Sequence, residues 1–240
     1  METTINLILA GVILICAWSG FKKGIIMGIG GILAIIVSLY GANLLANTFS
    51  MDIIPAIRPF ASGFMEGQIK ADEGVLDRMG WGSAELSVAD LLARYPERQM
   101  EFCSTCFQVL GLDETTSDNM AASTMETILE TGMSTTDAVV QTLCQKVSYV
   151  GCFILAFLLI IIILTVIGNL PNLSYKLPNL DALNDIGGSL LGIGTGILFC
   201  MVIVWTLKFT GKLIGSDTLS NAWLASIFLD RNLLTHYLGL

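Results

Sequence analysis

Apolar residues fill four stretches of the chain that contain no charged residue. These stretches are residues 3–21, 24–51, 147–175 and 186–207. A helix needs about 20 apolar residues to cross the hydrocarbon core of a bilayer. The pattern therefore predicts four transmembrane helices. The first stretch is the shortest, and a tilted or re-entrant course also fits it.

The connections between these stretches predict two hairpins. Only Lys22 and Lys23 separate the first two stretches, so we expect a tight turn over residues 22–24 and adjacent antiparallel helices. In the connector NLPNLSYKLPNLDALND, which precedes the fourth helix, Pro171 and Pro178 prevent helix continuation.

Glycines recur with the same spacing in the second and fourth helices. The motif GxxxGIG occurs at residues 24–30 and again at residues 188–194. Glycines four apart share one helix face, where the missing side chains let a neighbouring backbone approach. We expect the two hairpins to pack through these faces, although glycine is also simply common in membrane helices. The packing candidates are Gly20, Gly24, Gly28, Gly188, Gly192 and Gly196.

The region between the hairpins has a different character. Between Asn47 and Lys146 the chain has fifteen acidic and six basic residues, a balance of −9. Pro55 and Pro59 break this region into short pieces, and a helix is expected to begin at Ser87 and to end at Pro96. This pattern predicts a solvated, helical insert.

Two further helices are expected in the insert. The first covers residues 99–110, and the second begins at Ser117 and ends at Gly132. The predicted apolar face of the first helix contains Cys103, Cys106, Phe107 and Leu110. That of the second contains Ala121, Met125, Ile128 and Leu129.

The third membrane helix is predicted to be longer than a bilayer requires. Ser134 begins it, and nothing interrupts it before Gly168, so it projects toward the insert with Val139 and Val140. After the fourth helix, Ser216 is expected to cap an amphipathic segment that lies in the membrane interface.

The predicted fold class is therefore an all-α integral membrane protein. It has four transmembrane helices in two hairpins, an extramembrane helical insert between helices 2 and 3, and a C-terminal interfacial amphipathic helix. The first hairpin covers residues 1–46, the insert residues 47–136, the second hairpin residues 137–212 and the C-terminal segment residues 213–240.

Composition supports a lipid bilayer as the main partner. The chain is 54% hydrophobic and 13% charged, with a mean hydropathy of +0.74, whereas soluble proteins carry about 25% charged residues. The net charge of −8 disfavours nucleic acid as a partner.

Lysines near the helix ends indicate the orientation. Lys22, Lys23 and Lys176 favour cytoplasmic turns, with both termini and the insert outside. Arg58, Lys146, Lys208 and Lys212 flank the opposite side and argue for the reverse orientation.

Three segments resemble the colicin V production protein (CvpA) family of bacterial inner-membrane proteins. They are SGFKKGIIMGIGG, LPNLDALNDIGGSLLGIGTG, and Trp223 with Ser226 in a W-x-x-S element. The resemblance implies a multi-pass protein of the bacterial cytoplasmic membrane, tied to toxin production or export and to envelope upkeep. It implies no catalytic residue, and it does not extend to the insert.

Candidate chemistry is confined to the motif C-S-T-C. Cys103 and Cys106 can share a disulfide, act as a redox pair, or simply pack as apolar residues. The only histidine, His236, is remote in sequence, so no metal site or cofactor is predicted.

Three functional hypotheses follow. The first is a non-enzymatic scaffold or accessory factor that binds unidentified membrane or envelope proteins, or copies of itself. The second is a small oligomeric channel or transporter, although ionisable residues within the spans, which transport ordinarily uses, are missing. The third is a membrane thiol-disulfide protein.

Overall fold

The computed structural model describes residues 2–82, 86–169, 181–208 and 222–230. These residues form helices and connecting turns, without a strand. The α-helices are α1 (Glu2–Lys70), α2 (Val75–Arg78), α3 (Val88–Arg94), α4 (Gln99–Val109), α5 (Glu114–Thr131), α6 (Thr135–Asn169), α7 (Asp181–Lys208) and α8 (Trp223–Asp230), and a 3-10 turn covers Pro96–Arg98.

Contacts divide the chain into two compact units. Of the described residues, the membrane unit contains 2–48, 151–169, 181–208 and 222–230, and the insert unit contains 49–82 and 86–150. Within the described ranges, three helices are long and apolar enough to cross a bilayer, over Glu2–Lys70, Thr135–Gly168 and Leu183–Lys208. The all-helical class and the membrane character predicted from the sequence are thereby confirmed.

The first predicted hairpin is contained in a single 69-residue helix, α1, which is broken at one residue. Gly24 has φ 78° and ψ 179°, far from helical values, while Lys22 and Lys23 remain helical. The predicted turn of three residues is therefore reduced to one glycine, because glycine adopts positive φ at little cost.

Contacts with α7 fix the direction of α1 on each side of Gly24. Before the break, Leu9 lies beside Cys200 and Gly20 lies beside Gly188, so the two helices are antiparallel. After the break, positions of α1 and α7 rise together, from Ile25 beside Gly187 to Gly31 near Thr195. The chain therefore reverses direction at Gly24.

Helix α6 also runs antiparallel to α7. The ring of Phe153 lies 5.0 Å from that of Trp205, and the ring of Phe157 lies 6.0 Å from that of Phe199. A side chain added at Gly41 would meet Ile160, so α6 also borders the second part of α1. The two parts of α1, helix α6 and helix α7 thus alternate in direction along the chain.

The insert unit has a hydrophobic core of its own. Its fully buried side chains include Phe102 and Phe107 of α4, Met65 of α1 and Val139 of α6. Two helix starts are as predicted. Ser87 accepts a hydrogen bond from the Asp90 N–H, and Ser134 accepts one from the Asp137 N–H, both at 3.2 Å.

The prediction that Pro55 and Pro59 break the chain into short pieces is wrong. Helix α1 continues through both prolines to Lys70. Proline fixes φ near the helical value and removes one hydrogen bond, a loss that tertiary packing can offset. Here the same helix buries Ile54, Met65 and Ile69 in the core of the insert unit.

Helix α5 begins earlier than predicted, and its predicted apolar face is buried only in part, at Ala121 and Met125. Asp113 rather than Ser117 caps it, accepting a hydrogen bond from the Thr116 N–H at 3.0 Å, and Ser117 is buried inside the helix. Leu129, expected in the apolar face, is 83% exposed. The predicted end at Gly132 is confirmed by its left-handed conformation, φ 67°.

Several expectations fall on residues outside the described ranges. These are the proline connector of residues 170–180, the cap at Ser216 and His236.

Candidate functional site

The glycine face of α7 packs directly on the backbone of the first part of α1. A Cβ added to Gly192 would overlap the Cys16 carbonyl and lie 3.0 Å from the Ala17 Cα, and a Cβ on Gly196 would lie 2.9 Å from the Ile13 Cα. Contacts this short leave no room for any side chain. Only glycine fits at these positions without displacing a neighbouring backbone.

Gly20 and Gly188 form the closest part of this contact. A Cβ on Gly20 would overlap the Gly188 carbonyl and lie 2.9 Å from the Gly192 Cα. A Cβ on Gly188 would in turn overlap the Gly20 carbonyl and lie 2.8 Å from the Gly24 Cα. The two helices therefore meet backbone to backbone next to the break in α1.

The buried side chain of Asn184 holds the break. Its Oδ1 atom accepts a hydrogen bond from the Ile25 N–H at 3.1 Å, and the residue is 2% exposed. Because Gly24 is not helical, it interrupts the helical hydrogen bonding of the residues around it. A buried N–H without a partner is costly, especially in lipid. Asn184 thus supplies from α7 the acceptor that Ile25 needs.

The expected pairing of the glycine faces of the second and fourth helices is only partly found. Gly188, Gly192 and Gly196 face the first helix rather than the second. Gly28, on the second, approaches a leucine: an added Cβ would lie 2.8 Å from the Leu191 Cβ. A Cβ added to Gly30 would meet no atom of another described segment within 4 Å. The reason is that the reversal at Gly24 brings the first helix, not the second, against the row of glycines.

A cleft of about 200 Å³ lies between α1, α6 and α7 within the membrane unit. Glycines of α1 and α7 form part of its wall, and Ser19, Lys23, Thr165 and Thr195 provide its polar groups. The Thr165 hydroxyl donates to the Ile161 carbonyl at 2.6 Å, and that of Thr195 donates to the Leu191 carbonyl at 2.9 Å. Among the described residues that line the cleft, Lys23 is the only one with an ionisable amine or carboxylate.

Cys103 and Cys106 are free thiols in the core of the insert unit. Burial raises the pKa of Cys103 to about 12, and it also raises the pKa of Cys106. Thiolates are the reactive form of cysteine, so these environments disfavour redox chemistry. In the described part of the chain, no group of three or more His, Cys, Asp and Glu residues has the arrangement of a metal site.

The C-terminal element packs through its backbone. Asn6, near the start of α1, accepts a hydrogen bond from the Leu224 N–H at 3.1 Å and so caps α8. Ser226 donates to the Trp223 carbonyl at 2.9 Å, one turn earlier in the same helix. Trp223 itself is 70% exposed.

Sequence reasoning missed Asn184. It lies one turn before Gly188 and so continues the row of positions four apart that contains Gly192 and Gly196. A polar residue in register with a glycine face was therefore the available signal.

A family model described as Colicin V production protein matches residues 120–232. The matched range includes α6, α7 and α8, and with them Asn184, Trp223 and Ser226. The similar segment at residues 19–31 lies outside it. The chain matches no curated protein and no solved structure.

Proposed function

We propose, from the match of residues 120–232 to a family model described as Colicin V production protein, that the chain is a non-enzymatic membrane scaffold of that family. It would act as an accessory factor in the production or export of a colicin V-like toxin and in envelope upkeep. The family match and the apolar helices support the broader statement, a membrane protein tied to colicin V production.

The observation that carries the scaffold role is the backbone-to-backbone packing of α1 on α7. Gly20, Gly188 and Gly192 bring the helices into direct contact, and Asn184 fixes the turn beside them. Such an arrangement makes a rigid surface. Rigidity suits a protein that positions partners.

We infer four membrane crossings in the bacterial cytoplasmic membrane. Helix α1 contributes two because its direction reverses at Gly24, and α6 and α7 contribute one each. The short, basic turn at Lys22 and Lys23 favours a cytoplasmic location for the turn, with the termini and the insert outside. The reactivity of single cysteines at position 22 and at the exposed Glu130 toward an impermeant reagent tests this orientation.

Toxin release from a strain that lacks the gene tests the scaffold. We expect the wild-type chain and Ile203→Leu to restore release and Gly192→Leu to fail, because a leucine at 192 would separate α1 from α7. Full restoration by Gly192→Leu, at equal amounts in the membrane, would overturn the role of the packed face. Undiminished release without the gene would overturn the link to toxin.

A small channel or transporter is the second candidate. The cleft that contains Lys23 favours it, because a polar group between membrane helices is typical of a transport path. Purified protein in vesicles distinguishes the two roles. A scaffold leaves the permeability to ions and small solutes unchanged, whereas a channel increases it and Lys23→Gln alters that increase.

A further inference from the structure

The cleft of the membrane unit extends from one end of the apolar helices to about half their depth. Lys23, at one end, directly precedes the break at Gly24, and Ile35 lies eleven residues after it. Eleven residues of helix span about 16 Å. This distance is close to one leaflet, half of a hydrocarbon core of roughly 30 Å.

The cleft is mostly apolar along its length, with Ser19 one turn before the cationic Lys23 at its end. Its hydroxyl groups at Thr165 and Thr195 already donate to carbonyls of their own helices, so they do not offer protons to a ligand. Lys23 is exposed and makes no ion pair or hydrogen bond with any described residue. Its neighbour Lys22 is engaged differently, 5.2 Å from the centre of the Trp18 ring.

We propose that this cleft binds an anionic phospholipid of the bilayer. One acyl chain lies between α1, α6 and α7, and the phosphate lies at Lys23. Basic pockets between membrane helices are suited to anionic headgroups. The volume of about 200 Å³ is below the roughly 300–1,000 Å³ typical of sites for whole drug-sized ligands, which fits part of one chain. This inference goes beyond the scaffold role and does not depend on it.

Glycines of α1 provide a matched pair of variants for the acyl chain. A Cβ on Gly31 would lie 3.6 Å from the Thr195 Oγ1, an ordinary contact, and Gly31 lines the cleft. Gly31→Leu should therefore fill the cleft without separating the helices. Gly30→Leu makes the same chemical change on the preceding residue, which has no neighbour within 4 Å and does not line the cleft.

Native mass spectrometry of the full chain in mild detergent measures the binding of added phosphatidylglycerol and phosphatidylethanolamine. We expect the wild-type chain to prefer phosphatidylglycerol about fivefold, the factor that corresponds to roughly 1 kcal/mol for one lysine. Lys23→Gln should remove this preference, and Lys22→Gln should keep it. Gly31→Leu should lose most binding of both lipids, and Gly30→Leu should bind as the wild type does.

Three results would overturn the proposal. The first is binding of phosphatidylglycerol that neither Lys23→Gln nor Gly31→Leu weakens. The second is an equal loss in Lys22→Gln and Lys23→Gln, which would indicate general surface charge. The third is full competition by soluble glycerol phosphate at the affinity of the lipid, which would indicate a phosphate site without an acyl chain. Lys23→Gln changes an exposed side chain, so this arm of the test does not depend on how Gly31→Leu folds.

Discussion

The Ile25 N–H donates a hydrogen bond to the Asn184 Oδ1 atom across 3.1 Å and 159 positions of sequence. This bond joins the point at which α1 reverses to the first turn of α7. Gly24 makes the reversal sterically feasible, and Asn184 satisfies the backbone that the reversal exposes. A Cβ at Gly24 would lie 2.8 Å from the Asn184 Cγ. The Asn184 side chain therefore fits here because residue 24 has no side chain.

Replacing Asn184 by alanine should destabilise the membrane unit. The substitution leaves the partly buried Ile25 N–H without its acceptor, a loss of about 1–3 kcal/mol in the free energy of unfolding. The midpoint of thermal unfolding in detergent measures the effect. Asn47→Ala is the control, because Asn47 is exposed and its amide donates only to Asn43 in the same helix.

An equal midpoint for Asn184→Ala and wild type would mean that water or another group satisfies Ile25. Asn184 would then not be needed to stabilise the turn.

Two glycines of α7 should differ in their tolerance of alanine. Gly192→Ala places a Cβ against the Cys16 carbonyl, and overpacking of this kind costs about 1–3 kcal/mol. In Gly194→Ala the Cβ would lie 3.6 Å from the Ile32 Cδ1, an ordinary contact. Alanine is also a better helix former than glycine by up to about 1 kcal/mol. Thermal unfolding should therefore show a loss for the first and no loss for the second.

Similar losses for both variants would indicate that any change in α7 is harmful. The observed contacts would then not explain why glycine occurs at position 192.

Local signals in the sequence predicted much of this fold. The helix starts at Ser87 and Ser134 depend on side chains three residues apart, and the end of α5 depends on Gly132 alone. Such features can be predicted from the sequence because the residues involved lie within one helical turn of each other. The length of α6 was likewise predictable, since no proline occurs between Ser134 and Gly168.

Features that depend on tertiary contacts were not predictable in the same way. Helix α1 passes Pro55 and Pro59 because the insert core holds it on both sides, with Ile54 and Met65 buried. The partner of the α7 glycine face also depends on the single residue at which α1 reverses. Spacing alone could not distinguish the first helix from the second, because Gly20, Gly24 and Gly28 form one row of glycines four apart that continues across the turn.

The thiols of the insert should be protected in the folded protein. Burial raises the pKa of Cys103 from its ordinary value of 9.0 to about 12, so little thiolate forms near pH 8. Cys103 and Cys106 should react with iodoacetamide far more slowly in the folded chain than in the unfolded chain. Peptide mass spectrometry after timed labelling measures each rate. Rapid labelling of either cysteine in the folded state would contradict the buried positions and would favour a redox role.

The same burial gives a pH dependence with a definite sign. Between pH 9 and pH 12 the unfolded chain has released the Cys103 proton while the folded chain retains it. The unfolded state then binds fewer protons, so the free energy of unfolding falls as pH rises through this window. The free energy of unfolding, measured with denaturant at pH 8 and pH 10, should fall less between these two values for Cys103→Ala than for the wild type. Equal slopes would mean that Cys103 titrates normally in the fold.

The attachment of α8 should depend on Asn6 rather than on Ser226. Asn6→Ala removes the acceptor of the Leu224 N–H, and loss of a helix cap costs about 0.5–2 kcal/mol. Ser226→Ala removes a bond from a side chain to the Trp223 carbonyl within the same helix, which a backbone helix does not require. Hydrogen exchange at residues 224–226 should therefore accelerate several-fold in Asn6→Ala and remain near the wild-type rate in Ser226→Ala. Asn6→Asp keeps an acceptor oxygen, so its exchange rate at residues 224–226 should be close to that of the wild type. If Ser226→Ala accelerates exchange as much as Asn6→Ala does, the hydroxyl has a role in holding α8 that its contact with Trp223 does not explain.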